Sequence, residues 1–159
     1  MFATLLPRRL RRVAAGCALL GVAGCVVPPT GDLATVPPIP PGSARFWFYR
    51  VFFPDDTGDM PAIAMNGATV GYGLAGTNFY RDMPASQYHL TVASFGVDYY
   101  QSQDVAVAPG QQIFVKIASL PSWEESERGR FRRGTYYVMI VPPPLASLEL
   151  PHTRYLAGN

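Results

Sequence analysis

The sequence predicts a mainly β fold: a single antiparallel β-sandwich of about seven to nine strands with one short helix, behind a signal peptide and a Pro-rich tether. Three observations predict it. Short apolar runs recur at regular spacing, turn residues separate them, and the 159 residues are 13% aromatic but only 15% charged. That composition excludes disorder, which needs few aromatics and much charge. The length leaves room for one core rather than two. Helical bundles and coiled coils draw on Ala, Glu, Lys and Leu, whereas this chain has a single lysine, Lys116.

Residues 1–24 have the makings of a lipoprotein signal peptide. Arg8, Arg9, Arg11 and Arg12 precede an apolar stretch from Val13 to Val22, and Ala23, Gly24 and Cys25 follow. A basic start, a short apolar middle and small residues at the end mark an export signal. The stretch ends at Pro28-Pro29, short of the ~20 apolar residues that a spanning helix needs. Gly21-Val22-Ala23-Gly24-Cys25 resembles the lipobox of bacterial lipoproteins. The resemblance implies cleavage before Cys25, diacylglycerol on its sulfur and acylation of the new amino group. Two or three chains anchor stably where one is marginal. Cys17 is the alternative lipid site, with a much shorter apolar run before it. A disulfide framework is excluded, because cleavage leaves one cysteine and lipid occupies it. In the lipoprotein family an aspartate just after the cysteine can retain the protein at the inner membrane; Val26 stands there in this chain, so the resemblance implies the outer membrane, facing the periplasm.

Loss of the leader also reverses the sign of the charge. Four of the 13 basic side chains go with it and none of the 11 acidic ones, leaving nine against eleven. A nucleic-acid binder carries a basic surface, so nucleic acid is excluded as a partner.

Residues 25–42 hold the lipidated Cys25 and six prolines. Proline fixes φ and lacks a donor, so residues 26–42 should be extended and solvated, reaching roughly 50 Å at ~3.1 Å per residue. A spacer between lipid and domain is the expected role, and a proline-rich ligand the alternative.

The β domain spans 43–157. Ala44 to Phe53 is apolar at both parities, which predicts a strand covered on both faces. Met60–Met65 and Ala68–Tyr72 flank Asn66-Gly67, the strongest short hairpin signal. Thr77–Met83 makes another strand. Tyr88, Leu90 and Val92 alternate with polar residues, as do Val105 and Val107, and then Ile113, Val115 and Ile117. Pro109-Gly110 marks a turn between the last two. Thr135–Val141 has the pattern of a central strand, and Leu145–Leu150 that of a closing one. Between them, Ser122-Trp123-Glu124-Glu125 resembles a capping box, with acids first and Arg128, Arg130, Arg132 and Arg133 after. That order suits a helix dipole and predicts a short helix over Trp123–Arg132, or else a charged loop.

Several of these stretches together resemble a known domain. They are Arg45-Phe46-Trp47-Phe48-Tyr49-Arg50, Met65-Asn66-Gly67, Val70-Gly71, Asn78-Phe79-Tyr80, Met83-Pro84 with His89, and Ala108-Pro109-Gly110-Gln111 before Ile113-Phe114-Val115. The pattern is similar to an uncharacterised domain of small bacterial lipoproteins, akin to PEGA-type and transthyretin-like β-sandwiches. The resemblance covers most of 43–157 and implies a fold; the family has no assigned catalytic residues to carry over. The chain departs from the family at Met83-Pro84-Ala85-Ser86 and at 122–133.

Chemistry-bearing motifs are sparse. Nucleophilic catalysis needs a nucleophile beside a base, and the histidines are His89, on the polar side of a strand, and His152. A zinc site needs three or four ligands, which no His/Cys cluster offers. Asp55, Asp56 and Asp59 could hold calcium loosely, but their spacing lacks the downstream glutamate of a calcium loop, and a solvated acidic turn is the expectation. No metal or cofactor is expected. An excess of Tyr and Trp remains, residues that combine area with a polar tip and favour interfaces. Tyr99 and Tyr100, in an expected loop, and Trp123 are the candidate interaction residues. The expected function is a non-enzymatic, lipid-anchored envelope protein that binds or holds another envelope component. The alternatives are a glycan-binding module using exposed Tyr and Trp and, more remotely, an enzyme of unknown type, for which His89 beside a carboxylate in a pocket would be the sign.

Overall fold

In the structure, a computed structural model that describes residues 36–56, 58–95, 98–126 and 129–157, the aromatic run becomes β1 (Ser43–Arg50). Both its faces are covered. Phe46 and Phe48 enter the main core, while Trp47 and Tyr49 are 6% and 2% exposed on the other side. Trp47 packs against the Tyr80 and Tyr155 rings and donates its indole N–H to Gln112 Oε1 at 2.9 Å. The leader, Cys25 and the tether as far as residue 35 lie outside the described residues.

Eight further strands complete two sheets. They are β2 (Ala62–Met65), β3 (Ala68–Tyr72), β4 (Thr77–Pro84), β5 (Gln87–Val92), β6 (Ser102–Ala106), β7 (Gln112–Ser126), β8 (Gly129–Val141) and β9 (Arg154–Tyr155). The five-stranded sheet runs β8-β7-β1-β4-β9 and the four-stranded one β3-β2-β5-β6. Neighbours are antiparallel except β1 with β7 and β4 with β9, which are parallel. Ile63, Met65, Tyr88, Leu90 and Val92 of the smaller sheet meet Phe46, Phe48, Phe79, Val115, Ile117 and Val138 of the larger. Burying each such side chain contributes about 1.5–3 kcal/mol. The fold is the expected mainly β sandwich, with its turns where the sequence put them. Asn66 and Gly67 take φ of 50° and 81°, and Gly110 takes 77°. Positive φ is what makes Asn-Gly the hairpin dipeptide.

Four expectations change. The helix over Trp123–Arg132 is instead the far end of a hairpin, in which β7 and β8 pair from Phe114↔Val141 to Ser126↔Gly129. Acids followed by bases suit a helix dipole, but the same order faces Glu125 with Arg130 across an antiparallel pair, where opposite charges are also favourable. Trp and Phe favour strands, and Gly129 costs a helix about 1 kcal/mol. Leu145–Leu150 is no strand: α1 spans Pro143–Glu149. Proline in a first turn forfeits only an N–H that has no partner there, and Ala146 and Leu150, one turn apart, are the buried pair. β1 stops at Arg50, leaving Phe52 and Phe53 exposed. Finally, the tether is not wholly solvated. The Arg45 guanidinium donates to the Pro37 carbonyl at 2.8 Å while bridging both oxygens of Asp82 at 2.7 Å. The Asp82 hydrogen bond, acting against burial, holds the Arg45 pKa above its ordinary value.

Candidate functional site

The candidate site lies where β8 forms the rim of the larger sheet. Thr135–Val141 has the composition of a central strand, but β8 is terminal. Two of its backbone amides are satisfied by a loop rather than a strand: Tyr136 N–H donates to Ser94 Oγ at 2.8 Å and Val138 N–H to the Tyr100 carbonyl at 2.7 Å. Making the second bond places Tyr100 at φ 64°, a left-handed conformation that non-glycine residues seldom adopt. Asp98 anchors the loop, accepting from Tyr99 N–H at 2.7 Å and from the Tyr137 hydroxyl at 2.8 Å. The bond to Asp98, with some desolvation, raises the Tyr137 pKa above its ordinary value.

Around this anchor opens a groove of about 700 Å³, lined among others by Tyr99, Tyr100, Leu120, Tyr137, Met139 and Ile140. Tyr99 is 84% exposed, Tyr100 69% and Leu120 60%. Large apolar side chains gathered on a surface mark an interaction site when they form a patch. Asp98 is the one ionisable carboxylate in the lining, and two hydrogen bonds already engage it. The groove can take up apolar side chains and offers few fixed polar groups to orient a polar ligand.

The structure brings the expected pair Tyr99 and Tyr100 into this groove. Trp123 lies on β7, opposite Arg132, three residues beyond Leu120; its side chain lies outside the described part, as does Cys25. Leu120, Met139 and Ile140 were missed by sequence reasoning. An uncharged, proline-free Thr135–Val141 is the signal that could have found them, because such a run is hazardous only at a sheet rim.

His89 does lie beside a carboxylate, with Nδ1 2.7 Å from Asp104 Oδ1. The pair is well solvated, with side chains 50% and 84% exposed. The shallow groove around it is lined by Asn66, Gln87, Tyr88, Val105 and Ala106, none of which is a serine, threonine or cysteine for the imidazole to activate. Asp56 leaves the expected solvated turn. Its side chain is 3% exposed and its Oδ1 lies 2.9 Å from Arg50 Nη2. Among the described residues no three His, Cys, Asp or Glu side chains converge as a metal site would require, and no helix is long and apolar enough to cross a membrane.

No family model, curated protein or solved structure matches the chain.

Proposed function

We propose that the protein is a lipid-anchored envelope protein, held at the periplasmic face of the outer membrane by Cys25, whose domain binds another protein through the groove at β8. One observation carries the binding part: a cluster of exposed Tyr99, Tyr100, Leu120, Met139 and Ile140 around a single engaged carboxylate. The leader and lipobox of the sequence support the anchor, and the resemblance of 43–157 to a domain of small bacterial lipoproteins agrees with it. Aromatic residues are also what glycan sites use, but sugars need convergent polar groups beside the rings. Here Leu120, Met139 and Ile140 line the groove beside the rings, with Gln103 and the already engaged Asp98 as its polar side chains, which favours an apolar protein partner.

The anchor is tested by metabolic labelling with palmitate. Wild type should incorporate label and partition into detergent, and Cys25→Ala should do neither; equal behaviour of the two would refute anchoring. Binding is tested by a photo-crosslinking residue at Leu120 in living cells, with Thr69 on the opposite sheet as control. Adducts specific to position 120 are expected. None at either position would remove the binding role.

A further inference from the structure

We infer that the outer face of the larger sheet, at α1, lies against the lipid bilayer that holds Cys25. This rests on the anchor proposed at Cys25 and adds which side of the domain the membrane covers.

The first argument is where the tether meets the fold. Val36 and Ile39 are half-buried while Pro37 and Pro38 between them are exposed, the one-sided burial of a polyproline segment with three residues per turn. Pro40–Ser43 is a turn closed by Ser43 N–H on the Pro40 carbonyl at 3.1 Å, with Gly42 at φ 76°. The Arg45 bond to the Pro37 carbonyl fixes this strap over one side of β1. The same side carries α1, because the Tyr49 hydroxyl donates to Glu149 at 2.7 Å. Arg45 and Tyr49 share a face of the strand, about 13 Å apart along it. Cys25 stands eleven residues before Val36, a stretch that spans at most ~40 Å. The anchor therefore pulls on the face that bears α1.

The second argument is the contrast between the two outer faces. On the larger sheet, Leu145 and Leu148 of α1 are 45% and 69% exposed. Pro142, Pro143 and Pro144 beside them are exposed, and Gly134–Leu148 contains no charged residue. Half-buried Tyr80 and Tyr155 stack at 5.8 Å next to Trp47, and aromatic rings with a polar tip favour the headgroup level of a bilayer. Between strap and helix Arg45 is paired with Asp82 and Lys116 with Glu149, so among the described residues the bilayer meets no lone charge there. The outer face of the smaller sheet is the reverse, exposing Thr69, Gln87, His89 and Asp104. Held by lipid on its apolar side, the domain turns that side down. Two leucines are a weak membrane signal by themselves; the lipid makes them effective by keeping the face beside the bilayer.

The test uses protein extracted with its lipid in place and reconstituted into vesicles of phosphatidylethanolamine and phosphatidylglycerol. Lipid blocks Cys25, so a thiol-reactive fluorophore marks one introduced cysteine. On Leu148→Cys it should lose about half of its emission to lipids with a nitroxide near the headgroup, the depth an interfacial apolar face reaches, and on Thr69→Cys almost none. Adding Leu145→Asp to the Leu148→Cys chain should lower that quenching about twofold or more, with unchanged circular dichroism. Vesicle-bound protein in which positions 148 and 69 are quenched alike overturns the inference and leaves the anchor standing. A photo-crosslinker at position 148 that captures a protein in cells, without quenching in vesicles, also overturns it and gives the face to a protein partner. Protein that does not float with vesicles, with palmitate entering Cys25→Ala as it enters wild type, refutes the anchor and the inference together.

Discussion

Arg50 shows how a charged residue can be a core residue. It is 1% exposed and lies 2.9 Å from Asp56 Oδ1, while it donates to the carbonyls of Asp59 at 2.8 Å and Gly73 at 3.0 Å. Its guanidinium also sits 4.9 Å from the Tyr136 ring centre, and Asp56 accepts a further hydrogen bond from Ser119. Removing one partner of a buried pair strands the other charge in a place it cannot be hydrated. Arg50→Met should lower the unfolding free energy by about 3–5 kcal/mol, measured in urea, and Arg50→Met with Asp56→Leu should recover most of it. Sequence reading put Asp56 in a solvated turn because its partner and its cover come from β1, β7 and β8, which no local pattern announces. Gly71 makes the same point by size: a Cβ there would stand 2.4 Å from the Phe79 ring.

Two elements illustrate how local pattern and long-range pairing compete. α1 is held to the larger sheet by Glu149, which accepts from Lys116 Nζ at 2.5 Å and from the Tyr49 hydroxyl at 2.7 Å. Burial works to raise the Glu149 pKa, but the two hydrogen bonds and the lysine charge outweigh it and leave it below its usual 4.5. A depressed carboxyl stabilises the fold above its unfolded pKa and loses that contribution as pH falls through the folded value. Stability should therefore decline below about pH 4.5 more steeply in wild type than in Glu149→Gln, as read by thermal unfolding across pH 3–6. The β7–β8 hairpin is the other case. β1 pairs with β7 only as far as Lys116, yet β7 and β8 stay in register to Ser126↔Gly129. Glu125 and Arg130 hold opposite register positions on the two strands rather than successive places along a helix axis.

At the scale of the molecule, both sheets contribute to one buried cluster running from Ala44 to Val138, and β1 joins residues far apart in sequence on each side. The inner face of neither sheet stays covered without the other. Unfolding should accordingly be a single transition, with far-UV and near-UV circular dichroism giving coincident urea midpoints. Two separated midpoints would show that one sheet survives alone. The modest apolar patch at β8 belongs to this scale as well, because it arises only where the rim of one sheet passes the loop that leaves the other.

The sequence by itself determined the fold class, most of the strands and their turns, because alternation and Asn-Gly or Pro-Gly punctuation are local signals that burial simply reinforces. It also determined that Tyr99 and Tyr100 would stand in a loop. Only the tertiary structure decided which strands are central and which are rims, that the acidic and basic halves of 122–133 face one another, that 143–149 coils, and that Arg50 finds Asp56. Each of these turns on what a segment packs against. Asp56 is close to Arg50 in sequence, but its cover is not, and Tyr49 meets Glu149 across 100 residues; contacts of that kind leave no periodic trace in the segment they cover.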